Sequence, residues 1–199
     1  MASKYPTTGY WFSGDTLRDG RPLPKTGVWL KHKGPLVPCA SGLHWSACPF
    51  DALQFAPGNL LHRVEVRGKT LPHGSPIDKY CSRERKIVAT IDATRMLRRF
   101  AADQALSVAH LWDAPAIVRE YLSTLDESKR AASAAASAAA RDAAWAAARA
   151  AARAAASAAA RDAAGAAAGA AAAAAWAAEW AAARIEFVRR VEEAFDGKF

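Results

Sequence analysis

The chain has 199 residues, a formal net charge of +8 and a hydrophobic fraction of 52%, but much of that fraction is alanine. Alanine occupies 38 of the 53 positions from 131 to 183, and this stretch cannot form an ordinary core because alanine buries little surface. The longest uncharged run, Ala163–Ala178, is too short and too weakly apolar to span a bilayer, which excludes a transmembrane helix.

The basic excess lies in the first part of the chain. Residues 1–130 contain 19 Lys and Arg against 12 Asp and Glu, whereas residues 131–199 contain 8 against 7. Such an excess permits attraction to nucleic acid or to an acidic protein without specifying either. No apolar segment of signal-peptide length begins the chain, and three unevenly spaced cysteines are typical of reduced thiols, so we expect a cytoplasmic protein.

Turn-forming Gly and Pro residues frame short apolar segments near the N-terminus. These segments predict strands at Gly9–Phe12, Val28–Leu30 and Leu43–Ser46. Pro49, suited to the first turn of a helix, predicts a short helix that ends by Gln54.

The middle of the chain alternates strand and helix patterns. Leu60–Arg67 alternates polar with apolar residues and predicts a strand with one buried face, and Lys86–Ile91 is rich in β-branched residues and predicts another. Leu71–Pro76 is predicted to be a loop. Apolar spacings of three and four predict a helix over residues 93–112, and Pro115 opens a further one.

The alanine-rich tract carries a hidden repeat. Ser, Arg, Trp or Gly recurs every four residues from Ser133 to Gly169, so the stripe turns once around a helix and leaves no continuous apolar face. We therefore predict an α+β domain over residues 1–122. Residues 123–199 are predicted to form an alanine-rich helical extension, either one long helix or a helical hairpin bent near Gly165.

Large aromatic residues interrupt this small-residue tract. Exposed tryptophan is costly unless a partner covers it, so we predict self-association, a protein partner or docking within the chain. The predicted interface consists of Trp145, Trp176, Trp180, Phe187 and Val191.

One group of residues has the composition of a metal site. Cys39, His44 and Cys48 are candidate zinc ligands, with Cys81, His62 or His73 as a fourth. Their spacing lacks the short two-cysteine motif of structural zinc sites, and the alternative is that the cysteines are small buried hydrophobes. We expect no cofactor, with zinc as the alternative that these residues offer.

A basic cluster offers a candidate nucleic-acid surface, because phosphate binding needs exposed cations. It is predicted to lie between two strands and on the following helix, and the alternative is a solvated charged face. Its members are Lys79, Arg83, Arg85, Lys86, Arg95, Arg98 and Arg99.

Several segments resemble, in order, a family of uncharacterised phage and prophage proteins: Gly42-Leu-His-Trp-Ser46, Ala52-Leu-Gln-Phe-Ala-Pro-Gly58, His62-Arg-Val-Glu-Val-Arg-Gly68, Asp78-Lys79, Arg83-Glu-Arg85 and Ala109-His-Leu-Trp-Asp-Ala-Pro115. The resemblance covers about residues 28–195. Its members pair a small domain with an alanine-rich tail, and the resemblance implies no particular activity.

The order of strand, helix and strand from Leu43 to Val66 also resembles the opening of ADP-ribosyltransferase-like folds. That resemblance implies NAD as the ligand, His44 as a contact to its ribose, and Glu84 or Glu120 as the required acid. The chain contains no HExxH motif and no GxSxG motif.

We therefore expect a non-enzymatic binding or host-interaction protein with no catalytic residues, whose helical tail mediates assembly or spacing. The alternatives are a nucleic-acid-binding protein and an NAD-utilising ADP-ribosyltransferase-like enzyme.

Overall fold

The computed structural model describes residues 4–109, 114–154 and 179–197. The fold is mixed α and β and is built on an antiparallel sheet. The strands are β1 (Thr8–Ser13), β2 (Trp29–Lys31), β3 (Leu43–Trp45), β4 (Leu60–His73) and β5 (Lys79–Asp92). The helices are α1 (Pro49–Leu53), α2 (Thr94–Ser107), α3 (Ala116–Thr124), α4 (Arg130–Ala154) and a C-terminal helix at residues 179–195. No helix among these residues has the length and apolar character needed to cross a membrane.

Most elements lie where the sequence predicts them, but two predictions between β4 and β5 are wrong. The predicted loop Leu71–Pro76 is strand as far as His73, and the basic residues placed between strands lie on β5. The reason is that the two strands continue pairing beyond their apolar segments, down to His73 opposite Lys79. A prediction from the local pattern of polar and apolar residues therefore makes both strands of this hairpin too short.

The β4–β5 pair is the centre of the sheet. It runs from Leu60 opposite Asp92 to His73 opposite Lys79, with register shifts at Arg63/Val64 and Arg67/Thr70. β1 pairs with the outer edge of β4, whereas β2 and β3 pair with successive parts of β5. Irregularities of this kind bend a strand and increase its twist.

The bent sheet closes on itself through a bridge between Tyr10 and Ser46. Each residue donates its backbone N–H to the other's carbonyl oxygen, at 2.8 and 2.9 Å. Gly9 permits this approach, because a Cβ at that position would lie 2.4 Å from the Trp45 ring. The enclosed core consists of Trp45, Val64, Val66, Tyr80 and Ile87.

The chain divides into two compact units. The sheet unit contains residues 1–96 and 184–199, and the helical unit contains residues 97–183. Within the helical unit, the Arg99 guanidinium donates to the carbonyl oxygens of Leu122 and Ser123, at 2.7 and 2.9 Å, and pairs with Asp103. The domain boundary at residue 122 stays a prediction, and the alanine-rich residues 155–178 lie outside the described chain.

The C-terminal helix from Arg184 onward packs within the sheet unit. Phe187 and Val191 are fully buried, and Phe187 meets Phe50 edge to face with ring centroids 5.6 Å apart. The Arg184 guanidinium donates to both carboxylate oxygens of Asp51, with 2.6 Å between Nη2 and Oδ2. The Glu192 carboxylate accepts from Tyr10 and Arg63.

The structure thus divides the predicted interface residues. Phe187 and Val191 are internal to the sheet unit, whereas Trp180 is 46% exposed. The side chain of Trp145 and the whole of Trp176 lie outside the described part of the chain. The prediction that the aromatic residues bind a partner is not tested by this packing.

Replacing Phe187 by Ala should lower the free energy of unfolding by about 3–5 kcal/mol, because it opens a cavity against Phe50. Ile185 is a matched control on the same helix, since it is 72% exposed, and its replacement by Ala should change that free energy by less than about 0.5 kcal/mol. Urea denaturation measures both, and equal stabilities of the two variants would contradict the observed packing.

Candidate functional site

A cavity of about 1000 Å³ lies in the sheet unit. Its walls are β1, the loop at residues 14–21, the segment at residues 39–46, and Lys79 and Arg85 of β5. Arg18 and Arg21 add positive charge, and the Asp19 carboxylate in the same wall is paired with Arg21 at 2.7 Å. The wall is therefore predominantly cationic.

Arg85 is buried in this wall with only 4% of its surface exposed. Its guanidinium donates to the carbonyl oxygen of His44 and lies 3.6 Å from the centre of the Trp11 ring. Burial lowers the pKa of Arg85 to about 9. Within the described residues, no carboxylate lies at ion-pair distance from Arg85.

Lys79 is the second buried cation, with 8% of its surface exposed. Its Nζ atom lies 3.7 Å from the centre of the Phe55 ring, and among the residues described it has no carboxylate partner. Because successive strand residues alternate between faces, Lys79 and Arg85, six positions apart on β5, point to the same side. Both side chains line the cavity.

His44 lies between these cations and the loop that precedes β3. Its Nε2 atom accepts a hydrogen bond of 3.0 Å from the backbone N–H of Cys39. Burial, together with the positive charges of Lys79, Arg85 and Arg18, lowers the pKa of His44. The imidazole is therefore neutral, and it holds Cys39 in the left-handed region at a φ of 67°.

Cys39 lies beside two polar residues from the end of the β4–β5 hairpin. Its Sγ atom is 3.3 Å from His73 Nε2, and His73 Nδ1 is 3.6 Å from Asp78 Oδ1. The hairpin holds His73 and Asp78 together, since the backbone N–H of Asp78 donates to the carbonyl oxygen of His73. A Cβ at Gly74, whose φ is +92°, would lie 2.6 Å from Asp78 Oδ1.

A buried serine–histidine pair lies at the cavity wall, to which Ser13 contributes. The Ser13 hydroxyl donates to the carbonyl oxygen of Gly14 at 2.7 Å, so it accepts from His62 Nε2 at 2.8 Å. His62 Nδ1 then accepts from the Thr90 hydroxyl at 2.8 Å. A histidine with its proton on Nε2 cannot take a proton from Ser13, and this arrangement is structural.

The predicted zinc ligands do not form a common site. Of the side chains described, no group of three His, Cys, Asp or Glu is placed to hold a metal ion. Cys39 and His44 are adjacent, but Cys48 is the N-terminal cap residue of α1. The Cys81 thiol donates to the carbonyl oxygen of Ser41 at 3.1 Å.

The residues implied by the ADP-ribosyltransferase resemblance belong to different parts of the chain's two units. His44 lines the cavity, but Glu84 pairs with Arg67 at 2.8 Å outside its wall. Glu120 lies in the helical unit, where it accepts from Lys129.

The basic cluster is largely engaged in internal contacts. Arg83 donates to the carbonyl oxygens of His32 and Gly34, and Lys86 pairs with Glu65 at 2.5 Å. In the helical unit Arg98 pairs with Glu127 and Arg99 with Asp103. Arg95 is exposed. The cluster is divided between the two units.

Residues 19–99 match a family described as a domain of unknown function, DUF7666. No curated protein and no solved structure matches the chain. An uncharacterised family domain therefore covers this part of the chain, and the matched segment contains Cys39, His73, Asp78, Lys79 and Arg85. β1 and the C-terminal helix lie outside it.

Stability should depend on pH through His62. Burial, with a smaller effect of Arg85, lowers its pKa from 6.5 to about 4, so on acidification the unfolded chain takes up the proton first. The neutral ring stabilises the fold fully above pH 6.5, and this stabilisation falls between pH 6.5 and 4.

The variant His62→Gln keeps a polar side chain but does not titrate. The difference in unfolding free energy between the native chain and this variant should therefore shrink by up to about 3 kcal/mol from about pH 7 to about pH 4. Denaturant titrations across that range measure the difference, and a constant value would contradict the shifted pKa.

Proposed function

We propose that the chain is a binding protein of the phage type, and that the cavity of the sheet unit receives an anionic group, a carboxylate or a phosphate, of its ligand. The observation that carries the proposal is the burial of Lys79 and Arg85 in one cavity wall with no carboxylate partner among the described residues. Binding of this kind requires no chemical step.

The desolvation of Lys79 and Arg85 costs more free energy than their contacts with aromatic rings recover. Taking a cation out of water costs several kcal/mol in a real protein, whereas a cation over an aromatic ring recovers about 0.5–2 kcal/mol. The rings of Phe55 and Trp11 therefore offset only part of the free-energy cost of burying Lys79 and Arg85. An anionic group bound in the cavity beside either cation would supply the missing compensation, and this favours a ligand over a purely structural role.

The nucleic-acid alternative is less favoured. It needs exposed cations on one surface, but Arg83, Lys86, Arg98 and Arg99 are held by carbonyl oxygens or carboxylates. The NAD-dependent alternative retains His44 in the cavity, but within the sheet unit its candidate acid Glu84 pairs with Arg67 and does not line the cavity.

We further propose that the alanine-rich extension continues as helix beyond α4 and acts as a spacer or assembly element between the binding domain and a host component. The 25-residue α4 and the high helix propensity of alanine support this role. The resemblance to phage proteins with alanine-rich tails also supports a role as a spacer or assembly element.

A peptide of residues 128–199 should be largely helical at low temperature, because its length and alanine content outweigh the cost of nucleation. Replacing Gly165 and Gly169 by Ala should raise helicity further, since each glycine costs about 1 kcal/mol in a helix. Circular dichroism checks both expectations, and a coil spectrum of either peptide would contradict the spacer proposal.

Inorganic pyrophosphate and succinate are suitable probes of the cavity. Isothermal titration calorimetry at low salt should detect binding of at least one of them to the full chain, and binding should weaken as salt screens the cations. Lys79→Gln should abolish the heat. Lys86→Gln, on the same strand but paired with Glu65 outside the cavity wall, should leave it unchanged.

Two results would overturn the binding site. One is that neither anion binds although the chain is folded by circular dichroism, and the other is that Lys79→Gln and Lys86→Gln weaken binding equally. Binding of a single-stranded oligonucleotide that is lost in Lys86→Gln and Arg95→Gln would instead support the nucleic-acid alternative.

A further inference from the structure

We infer that Cys39 is a nucleophilic thiol for acyl transfer, activated by His73, and that its substrate class is an ester or thioester bearing an anionic group. This inference goes beyond binding and rests on the proposed function in one respect: Lys79 and Arg85 would hold the substrate's anionic group. The thiol chemistry itself rests on the separate geometry of Cys39, His73 and Asp78.

The first observation is the alignment of three side chains. Cys39 Sγ lies 3.3 Å from His73 Nε2, and on the other side of the ring Nδ1 lies 3.6 Å from Asp78 Oδ1. The Asp78 Oδ1 atom is buried and has no hydrogen-bond partner among the residues that the structure describes. A buried carboxylate oxygen without a donor favours a proton on the facing nitrogen, so it stabilises the imidazolium that forms when His73 takes the thiol proton.

We assign the His73 proton to Nδ1, the nitrogen that faces Asp78. This tautomer leaves the Nε2 lone pair directed at Cys39 Sγ, as a general base requires. The buried Ser13–His62 pair has the opposite arrangement, because its Nε2 carries the proton. Compared with the Ser13–His62 pair, the pair at Cys39 is therefore the one set for proton abstraction.

The second observation is the backbone of Cys39. A non-glycine residue at a φ of 67° is uncommon, and such strain is concentrated at functional sites. The conformation is held by the hydrogen bond from the Cys39 N–H to His44 and by a tight turn in which the N–H of Ser41 donates to the carbonyl oxygen of Val37. The turn presents Cys39 as an exposed residue lining the cavity.

The other two cysteines lack this setting. Cys81 is buried, its thiol donates to a carbonyl oxygen, and burial raises its pKa. Cys48 is partly exposed at the start of α1 and serves as an internal control.

The reaction balances with the side chains of Cys39 and His73 and one water molecule. His73 Nε2 takes the thiol proton while Cys39 Sγ attacks the carbonyl carbon, forming an S–C bond. The bond from carbon to the leaving group then breaks, and the leaving group takes the proton from His73. A water molecule deprotonated by His73 attacks the resulting thioester, which releases the carboxylic acid and restores the thiol.

The test uses the full chain and two esters that differ in charge, 4-nitrophenyl succinate and 4-nitrophenyl acetate. We expect a burst of nitrophenolate, with the acyl group on Cys39 in peptide mass spectra. Cys39→Ala should abolish the burst and Cys48→Ala should retain it. His73→Gln should slow acylation about 100-fold, the usual contribution of a general base.

Lys79→Gln separates the two proposals. If both hold, this variant loses the preference for the succinate ester but still reacts with the acetate ester. Reaction at Cys39 with no preference between the esters in the native chain would overturn the anion site while supporting the thiol chemistry. Equal acylation of Cys39 and Cys48, or an unchanged rate in folded His73→Gln, would overturn the thiol chemistry.

Discussion

The long antiparallel pairing of β4 with β5 is the constraint on which the other features depend. Both strands have 14 residues, and the other three strands attach to their edges. The register that sets His73 opposite Lys79 also determines which side chains reach the hairpin end and which line the cavity. A shift of one residue would move every side chain of β5 to the opposite face, so Lys79 and Arg85 would leave the cavity together.

The buried polar groups of the sheet unit are stabilised by two kinds of interaction, hydrogen bonds and contacts with aromatic rings. Ser13, His62 and Thr90 form a closed hydrogen-bonded chain, which uses every donor and acceptor of the imidazole ring. Lys79 and Arg85 instead rest on aromatic rings, which offset only part of the desolvation cost. His62 is thus fully hydrogen-bonded and stabilises the fold. Lys79 and Arg85 keep part of their desolvation cost, which we propose that a bound anion compensates.

Much of the fold could be predicted from the sequence, whereas little of the site could. Alternation and capping signals place β1, β3, α1 and α3 correctly because they are local. The continuation of β4 to His73 depends on pairing with β5, which no local pattern records. Cys39 and His73 lie 34 positions apart, and the sequence suggests them only as zinc ligands, because metal-ligand spacing is visible in a sequence and a thiol–imidazole contact across a hairpin is not.

The C-terminal helix links stability to the site. Arg184 and Phe187 bind Asp51 and Phe50 of α1, and Glu192 holds Tyr10 of β1. Tyr10 lines the cavity and bridges to Ser46, which closes the sheet. The last turns of the chain therefore support the β1 wall of the cavity, and Glu192, which contacts that wall, lies more than a hundred positions from Lys79 and Arg85.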